Sequence, residues 1–179
     1  MGGDMDDWLQ PLRACTPRGN PYVWIHPGKK FDGHVRSGRF WFEMPCWLTE
    51  DLNAVFGQWQ FNEYMKAQLR GEIDILLEEA SCGVLEQEAH GFVRTTPKDA
   101  DRTRIQPLIG ELRVPEPFDV GKRHCRCRVF HYEPDAYADW LVSLGALIKD
   151  VDDKDSKTQQ NQVIRLCDKR RCEHESRRN

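Results

Sequence analysis

The sequence predicts an α+β fold: a small antiparallel sheet with a helical hairpin before it and one helix after it. Three observations carry the prediction. Phe61, Met65, Leu69, Ile73, Leu76 and Leu77 recur at helical spacing. Three short runs rich in β-branched and aromatic residues then follow in quick succession between residues 110 and 148. A polar stretch with a basic end, beginning near Asp155, reads as a closing helix. Such an order suits helices packed on one face of a sheet whose other face stays open.

Taken in order, residues 1–37 hold Pro11, Pro17, Pro21 and Pro27 and only short apolar runs such as YVWI. They read as an irregular N-terminal arm with room for one short strand, followed by a single domain over 38–179. GRFWFEM (38–44), bounded by Gly38 and Pro45, is a strand candidate. Thr49 is a candidate N-cap, with Glu50 and Asp51 in the first turn where the helix dipole favours negative charge. Leu48, Leu52, Val55 and Phe56 form one apolar stripe, Gly57 marks a break, and Gly83 ends the second helix. Residues 84–101 read as a polar loop. The strand candidates GELRV (110–114), CRCRVFHY (125–132) and WLVSLGALI (140–148) have loop-like separators, which predicts an antiparallel meander. Asp155 or Ser156 can cap the closing helix, and Lys169, Arg170 and Arg171 load its later turns with the positive charge a helix C-terminus favours.

Composition narrows the class. At 39% hydrophobic and 31% charged residues, the chain describes a soluble globular protein. No run approaches the roughly 18 apolar residues of a membrane span. The acidic start lacks the pattern of a signal peptide, so the expected location is cytoplasmic, without a membrane partner. The seven cysteines are then expected as reduced thiols. No C-x2-C pair occurs, and His124, Cys125, Cys127 and His131 crowd one strand at spacings that do not converge on a tetrahedral ion. Neither a metal nor another cofactor is expected. The net charge of −3 conceals an asymmetry, with −6 over residues 1–101 and +3 over 102–179. A polyanion would find its surface in the second half.

Strand alternation sharpens that expectation. Within CRCRVFHY, Arg126, Arg128, Phe130 and Tyr132 share one face, and Cys125, Cys127, Val129 and His131 share the other. The small apolar set is the core side. Two guanidiniums beside two aromatic rings are then left for a phosphate backbone and its bases. Tyr132 can stack on a base or donate a proton, whereas His131 is on the wrong face to work with Arg128.

The segments ILLEEASCGVL, RIQPLIGELRV, CRVFHYEP and LGALIKDVDDKDSKTQQNQVIRLCDKRR, in that order, give the chain a resemblance to the RelE/ParE/HigB superfamily of type II toxin–antitoxin toxins. The likeness covers roughly residues 38–172. It implies a RelE-like fold and a small, metal-independent endoribonuclease that cleaves mRNA, in many members on the ribosome, and is neutralised by a cognate antitoxin protein. By position, Arg113 matches the arginine of the family's E-L-R segment and Arg128 that of its Y-R-V-F strand. Lys149 matches the basic residue ending its apolar strand, and Lys154 and Lys157 fall in the following turn. On this reading Arg128, Lys149 and Tyr132 are the catalytic candidates, and Arg113, Arg126, Phe130, Lys154 and Lys157 bind nucleic acid. The chain differs from the family in having Ile109 and Glu111 where lysines are usual, Cys127 where an aromatic is usual, and four aspartates in 150–155. Those differences sustain an alternative: a non-catalytic binding protein on the same fold, either a gyrase-directed toxin or a phage or mobile-element accessory protein.

Overall fold

The computed structural model describes residues 12–30, 41–86 and 109–178. Its organising element is a pair of long strands, β4 (Arg123–Tyr132) and β5 (Trp140–Asp150), which lie over the runs expected at 125–132 and 140–148 and are antiparallel neighbours. β2 (Ile109–Arg113) and the short β3 (Phe118–Val120) both pair antiparallel with β4. On the far side of β5, β1 (Val23–Ile25) adds in parallel, from Val23 opposite Trp140 to Ile25 opposite Val142. The sheet is therefore mixed and five-stranded, in the order β1-β5-β4-β2, with β3 beside β4. The expectation of a purely antiparallel sheet is corrected by β1, a strand drawn from the N-terminal arm.

Helix α1 (Trp47–Gln58) and helix α2 (Glu63–Cys82) form the expected hairpin. Asn62 caps α2 by accepting a hydrogen bond from the Met65 N–H at 2.8 Å, and Gly83 closes it in the left-handed conformation at φ 70°. Thr49 does not cap α1. It lies inside the first turn, buried, with its hydroxyl donating to the Trp41 carbonyl at 2.7 Å, and Cys46 occupies the cap position. The strand expected over 38–44 is likewise replaced, in its described part, by a 3-10 turn at Trp41–Glu43. There the Trp41 indole donates to Asp74 of α2 and its ring is buried in the core, so tertiary packing overrides the strand propensity of an aromatic run.

Two cores lie on the two faces of the sheet. Cys125, Cys127, Val129, Ala146 and Ile148 pack with Leu52, Phe56, Ile73 and Leu77 of the hairpin. Phe130, Tyr132, Val142 and Leu147 pack on the other face with Ile164 and Cys167 of α3 (Ser156–Ser176). The second face is thus not left open as expected: α3 covers the half that carries Phe130 and Tyr132.

Where β1 ends, no described strand continues along that edge of β5, and side chains meet it. The register of β4 and β5 slips between Phe130 and His131, next to Gly145, whose φ of 148° is one that L side chains rarely adopt. Asp51 of α1 accepts the Ala146 N–H at 3.1 Å, and Arg170 of α3 donates to the Leu144 carbonyl at 2.8 Å. The two side chains then pair with each other, Nη1 to Oδ2 at 2.7 Å and Nη2 to Oδ1 at 2.8 Å. One ion pair thereby satisfies backbone groups that a missing strand would have met. A Cβ on Gly145 would fall 2.2 Å from the Asp51 carboxylate.

The described part of the N-terminal arm is docked. The Arg13 guanidinium donates to the carbonyls of Pro134, Tyr137 and Trp140 at 3.0, 3.0 and 2.9 Å, and the Trp24 indole donates to the Leu77 carbonyl at 2.6 Å. These contacts gather at the Trp140 end of β5, away from Lys149 near its other end.

Candidate anion-binding site

At the Lys149 end of the sheet, three strands bring four cations to one face. Arg113 on β2 lies opposite Arg128 on β4, and Arg126 on β4 lies opposite Lys149 on β5. Like charges placed directly across strands repel, so the pattern demands either a counter-charge or a ligand. All four side chains line a pocket of about 240 Å³, with Val114 and Cys127 completing much of its wall.

Part of the counter-charge is internal. Glu111, two residues before Arg113 on the same face of β2, has a side chain that is 0 % exposed. Its Oε1 accepts from Arg113 Nε at 2.8 Å and also from Arg128 Nη1. Its Oε2 accepts from Gln160 Nε2 of α3 at 3.1 Å, and Gln160 Oε1 in turn accepts from Lys149 Nζ at 3.4 Å. Four cations against one carboxylate leave the pocket strongly positive. Burial pulls the Arg128 guanidinium below its ordinary pKa, opposed by Glu111 and reinforced by Arg113. Lys149 is pulled down as well, by burial first and by Arg128 next. Arg128 Nε is buried without a hydrogen-bond partner, and Arg126 is exposed and unpaired among the described residues. Unmet donors and a surplus of positive charge equip this pocket to take an oxyanion.

Arg126 and Arg128, singled out by strand alternation, therefore come together with Arg113 and Lys149, the positions that the resemblance singled out. The other candidates do not join them. Phe130 and Tyr132 share the face of Arg128 but are buried beneath α3 at 0 % and 2 % exposure, so neither presents a ring to a base. The Tyr132 hydroxyl lies 2.5 Å from His174 Nδ1, and burial pushes its pKa up. Lys154 and Lys157 are exposed, in the turn after β5 and in the first turn of α3, and are not among the pocket-lining residues. His131 is on the opposite face, against Trp24. Sequence reasoning missed Glu111 and Gln160 as members of the site. The i, i+2 spacing of Glu111 and Arg113 was the available signal for the first; nothing local marks the second.

Among the described residues no three His, Cys, Asp or Glu side chains gather as metal ligands, and no helix is long and apolar enough to cross a membrane. Comparison with protein-family models, with curated proteins and with solved structures finds no match for this chain.

Proposed function

We propose that the protein binds RNA through this pocket and cleaves it without a metal, as an mRNA endoribonuclease toxin held in check by a partner antitoxin. The observation that carries the reading is the convergence of Arg113, Arg126, Arg128 and Lys149 from three neighbouring strands. The resemblance of the strand and turn segments to the RelE/ParE/HigB superfamily supports it. In the reaction, a ribose 2′-oxygen attacks the adjacent phosphorus. The O2′–P bond forms, the P–O5′ bond breaks, and a proton passes from the 2′-hydroxyl to the leaving 5′-oxygen. The products are a 2′,3′-cyclic phosphate and a 5′-hydroxyl, with no water or redox partner consumed. The arginines stabilise the charge that grows on the phosphorane. Lys149, its proton affinity lowered by burial and by Arg128, is the proton carrier available in the pocket.

The test is incubation of the purified protein with end-labelled single-stranded RNA, in EDTA, with and without ribosomes. Cleavage that persists in EDTA and is lost in Lys149→Ala is the expected result. The same variant is expected to melt as the wild type does, since among the described residues the Lys149 ammonium makes one long hydrogen bond, to Gln160. No cleavage under any of these conditions overturns the nuclease reading. Burial of Tyr132 under α3 favours one second reading, a non-catalytic binder on the same scaffold. RNA or partner binding without new RNA ends is its signature.

A further inference from the structure

Behind two of the pocket's arginines lies a buried anion, and its placement assigns it work. Glu111 is more deeply buried than the cations around it: its side chain is 0 % exposed, against 12 % for Arg128 and 39 % for Arg113. It engages both arginines through one oxygen and reaches α3 through the other. An arginine carries five N–H donors, so one or two bonds to a buried carboxylate fix its plane while leaving the remainder for another acceptor.

We propose that Glu111 is a positioning residue for oxyanion recognition: a buried counter-charge that aims Arg113 and Arg128 at a phosphodiester and limits how tightly the pocket holds it. The proposal rests on the reading of the pocket as an RNA-backbone site and adds the group that tunes it. Two effects follow, and they have opposite signs. As a charge, Glu111 offsets one of four cations and weakens attraction for any anion. As a fixed acceptor, it holds two guanidiniums in place and strengthens recognition of a planar, two-oxygen face of phosphate. Gln160, donating to Glu111 and accepting from Lys149, ties the same arrangement to α3.

The experiment separates the two effects with an uncleavable 2′-O-methyl oligonucleotide, titrated into full-length protein across a range of salt, with thermal melting recorded alongside. Glu111→Gln removes the charge and keeps the shape. It is expected to bind the probe several-fold more tightly at low salt, with the slope of log K against log salt steeper by about 0.7, the increment for one further phosphate engaged on a single strand. Glu111→Asp keeps the charge and draws the carboxylate back by one methylene. It is expected to bind several-fold more weakly at an unchanged slope. Wild-type affinity and slope in both variants overturns the proposal, as does parallel weakening in both together with a fall in melting temperature. Should Glu111→Gln fail to fold, Glu111→Asp decides: binding equal to wild type defeats the positioning role. If the wild type itself does not bind the probe, the RNA-backbone reading fails, and this proposal fails with it.

Discussion

Arg126 and Arg128 are two residues apart on one strand, yet substitutions at them have different consequences. Arg126 is exposed and unpaired among the described residues, whereas the Arg128 side chain is 12 % exposed and donates to a fully buried carboxylate. Arg126→Ala is expected to weaken RNA binding several-fold and leave the urea midpoint unmoved. Arg128→Ala is expected to lower stability as well, by about 1–3 kcal/mol, because Glu111 keeps its burial and loses a charged partner. Titrating RNA into both variants, beside urea denaturation, checks this. Equal stability of the two would mean that Arg128 contributes nothing to the resting protein. A comparable contrast holds at Asp51, whose carboxylate serves both the Ala146 N–H and Arg170. Asp51→Ala strands a largely buried guanidinium and an edge amide, with an expected cost of about 3 kcal/mol in urea denaturation. A loss below about 1 kcal/mol would show that water reaches the gap and substitutes for the carboxylate.

Among the elements, those with a strong local signal were legible. The apolar period of α2, its stop at Gly83, the alternation of β4 and the apolar run of β5 all emerge in the fold near their expected positions. Asn62→Ala should cost α2 about 1 kcal/mol, as removal of a side-chain cap usually does, read from the melting temperature. Elements decided by distant partners were legible only in part. The short strand for which the arm had room is β1, three residues within YVWI, but no local pattern announces its parallel pairing with β5, far along the chain. The aromatic run near Trp41 has strand-like composition, but the buried indole and the Thr49 and Asp74 hydrogen bonds favour a tight turn. The site divides in the same way. Its arginines stand out by alternation along β4, whereas Glu111 reads as a departure from an expected basic position until the structure places it beneath them. Gly145 belongs here too: Gly145→Ala would meet both a rare φ and the Asp51 carboxylate, so it should lower the melting temperature more than a typical surface glycine substitution does.

For the molecule as a whole, acidity is the informative variable. His26 is fully buried, with Nδ1 at 2.8 Å from the Ser143 hydroxyl and Nε2 without a partner among the described residues, and burial lowers its pKa from 6.5 to about 4. The native state keeps this ring neutral, while the unfolded chain takes up a proton near pH 6.5. Stability from this residue is therefore complete above pH 6.5 and drains away as pH falls toward 4, by on the order of 3 kcal/mol in all. Urea denaturation at pH 7 and pH 4.5 should show that loss, and His26→Gln, a neutral substitute, should flatten it. An undiminished slope in that variant would assign the acid sensitivity to other groups.

The position of β5 between β1 and β4 has a consequence for how the molecule is made. Polypeptides are synthesised from the N-terminus, and every strand on either side of β5 leaves the ribosome before it does. Until residues 140–142 have emerged, β1 has no neighbour among the described strands, and until Asp150 has emerged β4 shows an unpaired edge beside the apolar row of Cys125, Cys127 and Val129. Translation thus delivers the central strand late, and a nascent chain halted short of it would have two flanks and no middle. Such a fragment is the species on which chaperones and proteases would act. Assembly of the sheet must wait for residues 140–150, which follow every other described strand in the chain.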